Sequence, residues 1–219
     1  LRLLQPTGWS SVDTAEDIRA RLAGEGFPVE EAAVVATGYG RVSVPYADRC
    51  VTEITCHGRG ACRIYGTPDL TVIDIGGQDT KIIRIQDGAV SDFLMNDKCS
   101  AGTGRFLEIM ANTLAVRPEE LCGMAAHGGG TSISSMCTVF AESEVISLIG
   151  RGEKRENIAF AVVDSIVKKV ASQAGRMSAD QETVCLTGGL CEYPYLRQSL
   201  SAALGRPVRT EADGRYAGA

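Results

Sequence analysis

The chain has 219 residues, 44% hydrophobic and 22% charged, with a formal net charge of −5. This is the balance of an ordinary globular protein, and it excludes a disordered, collagenous or coiled-coil chain. The longest apolar stretch, Ile158 to Val170, is interrupted by Asp164, Lys168 and Lys169, so no run reaches the roughly 18 residues of a membrane span. Scattered cations under a net negative charge argue against a nucleic-acid surface. The length allows one large domain or two small ones. Eight cysteines are too sparse for a disulfide scaffold. The lack of a signal-peptide pattern predicts a cytoplasmic, reducing setting, and a start at Leu1 rather than Met predicts a fragment. With only His57 and His127 available, any metal site is expected to be thiolate-rich.

In chain order, Ser10-Ser11-Val12-Asp13 predicts a helix start and Gly24 its end. Ala32 to Ala36 reads as a short buried strand, and about 47–65 as a helix. Leu70 to Ile75 is an apolar strand running into Gly76-Gly77. Thr80 to Gln86 is a second strand, Asp87-Gly88 a hairpin turn, and Ala89 to Met95 a third strand. Helices are expected at about 103–115, 138–149 and 156–176, the last amphipathic through Ile158, Val162, Ile166, Val170 and Ala174. Thr183 to Thr187 is a short strand ending in Gly188-Gly189. A helix over 196–204 and an edge strand over 207–210 complete a sheet-plus-helices α/β pattern.

Several stretches carry chemistry. Asp74 at the end of a buried strand needs a partner such as a cation. Gly76 and Gly77 can bring bare backbone N–H groups against a phosphate, and Gln78 can orient a water; a hairpin turn with a capping Asp is the alternative. Gly188 and Gly189 repeat the strand–GG pattern, with a tight strand–helix turn as the alternative. Gly102-Thr103-Gly104 opens a helix, where N–H groups and the dipole favour an anion, or where Thr103 is simply an N-cap. Cys99 and Cys137 each precede a helix start, which favours a thiolate. Two thiolates cannot hold a cubane, but two from each chain of a dimer can. On spacing alone two unrelated core or reactive thiols are the plainer reading, and a Cys₄ zinc site shared by a dimer is a third. Cys50, Cys56 and Cys62 recur every six residues of the expected helix, which splays them onto different faces. They read as small buried hydrophobes, as do Cys122, Cys185 and Cys191. His127 reads as a loop residue, and Glu142 and Glu144 as a solvated or first-turn face.

The sequence resembles the ATPase activators of 2-hydroxyacyl-CoA dehydratases, the BadF/BadG/BcrA/BcrD ATPase family that includes the ATPase subunits of benzoyl-CoA reductase. The matching segments are VVATGYGRVSVPYADR (34–49), TEITCHGRGA (52–61), TVIDIGGQDTKII (71–83), FLMNDKCSAGTGRFLE (93–108), SMCTVFAESEVISL (135–148) and TGG (187–189). The resemblance implies an α/β, two-lobed actin-like fold, shared with acetate and sugar kinases and heat-shock ATPases. One lobe would cover 1–68, with 212–219 returning to it, and the second 69–211. It also implies a homodimer with one bridging [4Fe–4S] cluster, held by Cys99 and Cys137 of each chain. ATP and Mg²⁺ are the implied ligands: Asp74 on the Mg²⁺ shell, Gly76, Gly77 and Gln78 on phosphate and water, Gly188 and Gly189 on the adenosine side, and Gly102, Thr103 and Gly104 facing the nucleotide. ATP hydrolysis would drive one electron, loaded by a reduced ferredoxin or flavodoxin, into a 2-hydroxyacyl-CoA dehydratase or related reductase.

The family's opening hairpin with a DxGST-type first phosphate loop has no counterpart here, and the chain stops at Ala219 before the family's closing helix. The first lobe is therefore expected to be incomplete. Two alternatives stand beside the activator: a small-molecule or sugar kinase of the same superfamily, with Asp79 as an arguable base, and a non-catalytic module bearing a cluster or zinc.

Overall fold

In the computed structural model, residues 1–134, 137–177 and 183–219 are described. Ser135 and Met136, which open one of the family-like segments, lie outside them. The chain forms two compact units, Leu1–His57 with Gly218–Ala219, and Gly58–Ala217.

The first unit holds α1 (Ser11–Gly24), whose Ser10 side chain caps the amide of Asp13. It also holds a two-residue parallel pair, β1 (Val35–Ala36) and β2 (Arg49–Cys50). The strand expected over 32–36 is therefore only two residues long. The helix expected from 47 starts later, as α2 (Glu53–Tyr65), because Asp48 accepts the Val34 amide and Arg49–Cys50 pair as a strand. This corrects the reading of three regularly spaced helical thiols. Cys50 is exposed on β2, while Cys56 and Cys62 are only half-buried on α2.

The second unit, which takes α2 from Gly58 on, is built on a sheet of five strands. These are β3 (Leu70–Ile75), β4 (Thr80–Gln86), β5 (Ala89–Asn96), β6 (Val184–Thr187) and β7 (Val208–Arg209), in the order β5-β4-β3-β6-β7. β3, β4 and β5 form an antiparallel meander; β6 and β7 join parallel to β3. The hairpin turn uses Asp87 (φ 52°) and Gly88 (φ 74°), the left-handed pair that a tight hairpin matching strand twist requires. All six residues of β3 are buried, as a near-continuous apolar run demands when both sheet faces are covered. One face meets α2, where a side chain at Gly58 would touch Val90 and Ile85. On the other side lie α3 (Gly104–Thr113), α4 (Pro118–Ala125), α5 (Thr138–Gly150), α6 (Arg155–Gly175) and α7 (Pro194–Leu204), with α6 against β4, α7 against β7, and α4 and α5 packed on neighbouring helices. Their core joins Ile73, Ile75 and Ile82 of the sheet to Phe106, Met110, Ile158, Val162, Ile166, Leu196 and Leu200. α4 was not expected; it starts at Pro118, with Glu120 accepting the Arg117 amide. No helix among the described residues is long and apolar enough to cross a membrane.

Candidate active site

The parallel strands β3 and β6 end side by side in Gly76-Gly77 and Gly188-Gly189, at the carboxyl edge where open α/β sheets take ligands. Pairing register decides what surrounds Asp74. Its cross-strand neighbour on β4 is Lys81, and on β6 it is Thr187. All three side chains project from the same face of the sheet. Thr187 Oγ1 donates to Asp74 Oδ1 at 2.7 Å. Lys81 Nζ lies 3.6 Å from Asp74 Oδ2 and 2.7 Å from Asp79 Oδ1. Asp74, Asp79 and Lys81 are all buried, so two carboxylates share one ammonium in a low-dielectric setting. Removing one partner of such a group costs about 3–5 kcal/mol. The cation that a buried Asp74 demanded is thus partly supplied by the chain itself.

In each glycine pair the two positions differ. A Cβ on Gly76 would stand 2.7 Å from Asp79 Oδ1. One on Gly188 (φ +81°) would stand 2.3 Å from the Ile75 carbonyl oxygen and 3.0 Å from Asp74 Oδ1. These first glycines are required by the carboxylates and strands behind them. Gly77 and Gly189 instead front open space, as a backbone must where a phosphate is to approach.

The Gly102-Thr103-Gly104 turn is joined to the same loop. The amides of Gly104 and Arg105 donate to the Gly76 and Gly77 carbonyls at 2.9 and 2.7 Å. The Thr103 amide and hydroxyl both donate to Ser100 O, and Thr80 donates to Gly102 O. Thr103 is completely buried and a side chain on Gly102 would strike Lys169. These three residues therefore hold the Gly76-Gly77 loop from behind, and the leading amides of α3 serve its carbonyls.

Cys99 lies in the segment between β5 and α3, where Asn96 donates to its carbonyl at 2.9 Å. Cys137 is exposed and forms the N-cap position of α5. Ser100 Oγ and Thr138 Oγ1, each one residue after a cysteine, are hydrogen-bonded at 2.6 Å. The two segments bearing the expected cluster ligands are therefore neighbours. A cleft of about 530 Å³ lies against the Cys99 segment, lined by Gly77, Gln78, Lys98, Cys99, Ser100 and Arg105 among others, so Gln78 and Cys99 line one space. Among the described residues, no group of three or more His, Cys, Asp or Glu side chains is gathered as a metal ion needs. The remaining buried thiols have a different character. Burial pushes Cys122 and Cys185 up to about 12 and Cys191 to about 11.

Sequence reasoning missed Lys81, Thr187 and the Ser100–Thr138 contact. The first had a signal. A four-residue turn over 76–79 sets Asp74 opposite Lys81, and a lysine inside Thr80–Ile83, an otherwise apolar strand, needs an anion. Thr187 required the β3–β6 register, which no local pattern encodes.

Known proteins agree with this architecture. The sequence matches the BadF/BadG/BcrA/BcrD ATPase family over residues 8–219. It is 43% identical over 188 residues to the (R)-2-hydroxyglutaryl-CoA dehydratase activating ATPase of Acidaminococcus fermentans, covering 84% of this chain and 71% of that protein. The crystal structure of component A of that dehydratase superposes with a TM-score of 0.88 at 39% identity, over 97% of this chain and 83% of its own. The activator of the 2-hydroxyisocaproyl-CoA dehydratase from Clostridium difficile, solved with bound ADPNP, gives 0.85 at 36% identity, over 94% and 77%. The chain has the actin-like ATPase fold and belongs to the BadF/BadG/BcrA/BcrD ATPase family.

Proposed function

We propose that the protein is an ATP-driven one-electron donor that reduces a 2-hydroxyacyl-CoA dehydratase or a related CoA-ester reductase. The observation carrying this reading is the shared construction of the two half-sites. Gln78 and Cys99 line one cleft, and the helix that follows Cys99 is hydrogen-bonded through its first amides to the Gly76-Gly77 carbonyls. A change in the loop on nucleotide binding would be carried directly into the cysteine segment. Relatives named as dehydratase activators, one of them solved with an ATP analogue, support the same reading.

The residues fit the implied groups. Asp74, held by Thr187 on one oxygen and near Lys81 on the other, has the hard oxygen donors that Mg²⁺ prefers. Gly77 and Gly189 offer open backbone to phosphate and adenosine, with Gly76 and Gly188 shaping each turn and Gly102, Thr103 and Gly104 supporting the loop. Gln78 orients the attacking water, since its amide both donates and accepts. Cys99 and Cys137 supply two soft thiolates per chain, so two chains of a homodimer complete the four that a cubane takes. A [4Fe–4S] cluster held there would accept one electron from a ferredoxin or flavodoxin and release it to the dehydratase. The helix starts behind both cysteines favour its negative charge. The two lobes are proposed as 1–68 with 212–219, and 69–211; the five-stranded sheet of the second begins at Leu70.

Hydrolysis, rather than transfer to a sugar or acid, is supported at Asp79, the carboxylate that could be argued as a kinase's base. It is buried and paired to Lys81 at 2.7 Å. Measuring turnover and nucleotide affinity separately tests the assignment. Gln78→Ala should slow ATP hydrolysis about 100-fold while ADP affinity stays within about threefold. Unchanged hydrolysis removes Gln78 from the mechanism.

A further inference from the structure

Lys81 has a setting that phosphate binding alone does not explain. It is 4% exposed, in a strand whose neighbours Ile82 and Ile83 are core residues, and its Nζ lies between Asp79 Oδ1 at 2.7 Å and Asp74 Oδ2 at 3.6 Å. Two buried carboxylates converging on one point form an oxygen pair that a divalent cation would otherwise take. Here an ammonium from the chain lies at that point. Asp79 can approach it only because Gly76 has no side chain, since a Cβ there would stand 2.7 Å from Asp79 Oδ1. Thr187, donating to Asp74 Oδ1, fixes the carboxylate so that its second oxygen faces Lys81.

We propose that Lys81 is a positioning residue acting as a built-in counter-ion. It fills the space between Asp74 and Asp79, so that a divalent cation does not settle between the two carboxylates by itself and is taken up only with its nucleotide. This rests on the reading of the site as a Mg²⁺–nucleotide site. A single positive charge balances one of the two carboxylates and leaves the other to interact with a metal that arrives carrying phosphate oxygens as further ligands. The lysine also holds Asp74 Oδ2 at a set position before the nucleotide comes.

Mn²⁺ binding to the purified protein, followed by electron paramagnetic resonance with and without ADP, tests this. Without ADP, Lys81→Met should bind Mn²⁺ at least about tenfold tighter than the wild type, because two buried carboxylates lose the ammonium that lies between them. Lys81→Arg, which keeps the charge, should behave as the wild type. Adding Asp79→Asn to Lys81→Met should abolish the gain. A folded Lys81→Met protein that binds Mn²⁺ no tighter than the wild type overturns the proposal. If Lys81→Met does not fold, the wild type decides: Mn²⁺ binding that requires ADP supports the proposal, and equally tight binding without ADP overturns it. A wild type that binds no ADP contradicts the nucleotide site itself, while the nucleotide-free comparison of the variants still decides the role of Lys81.

Discussion

At the residue scale, the site is governed by carboxylates that need neighbours. Asp74 at the end of β3 required a cation from its burial alone, and the chain answers with Lys81 and Thr187 on the flanking strands. The glycines follow from the same geometry. Gly188 combines a left-handed φ of +81° with a Cβ position 2.3 Å from a backbone oxygen, so neither strain nor space allows a side chain. Gly188→Ala should destabilise the second unit by at least about 1–3 kcal/mol, read as a lower urea midpoint; Gly189→Ala, with open space before it, should cost far less. An equal loss at both positions would contradict the account. The buried thiols set a pH dependence. Their values, about 12 for Cys122 and Cys185 and about 11 for Cys191, lie above the 9 of the free group. The neutral form is therefore favoured in the fold. The stability gained is fully present below about pH 9 and is lost as pH rises through 11 to 12. Burial raises Tyr193 to about 12 in the same sense. Denaturation midpoints should hold level from pH 7 to about 9 and fall above it. At pH 8, native iodoacetamide labelling should modify exposed Cys50 and spare Cys122, Cys185 and Cys191.

At the element scale, the meander over 70–96 was legible because every signal agreed: alternating or continuous apolar runs, a GG turn and an Asp-Gly turn. The helix over 155–175 was legible through its periodicity and length, and the one over 138–150 was also expected. Other elements were set by tertiary context. The start of α2 was moved by Asp48 and the β1–β2 pairing, and α4 was hidden by its eight residues, too few for a clear period. The cysteines at 99 and 137 were legible as helix-start thiols, but their proximity was not, since 38 positions separate the Ser100 and Thr138 hydroxyls that join them. That bond ties the start of α5 to the segment before α3. Thr138→Val should cost about 1 kcal/mol of stability, and it should lower iron retention in anaerobically purified protein further than that loss explains. Full iron content in the folded variant would show that the two segments are positioned without it.

At the scale of the whole molecule, the second unit carries both glycine pairs, Gly76-Gly77 and Gly188-Gly189, and both Cys99 and Cys137 on one sheet and its associated helices. In the proposed function, two thiols from each of two chains make up the four that a cubane takes. The proposed function places ATP hydrolysis and electron transfer on this one framework, with the redox group shared by two chains. The most direct test is iron, acid-labile sulfide and zinc per chain in anaerobically purified protein, with the oligomeric state measured on the same sample. The account predicts a dimer with about two irons and two sulfides per chain, both lost in Cys99→Ala and in Cys137→Ala while ADP binding persists. Zinc in place of iron, or an iron-free protein that still activates a dehydratase, would contradict it.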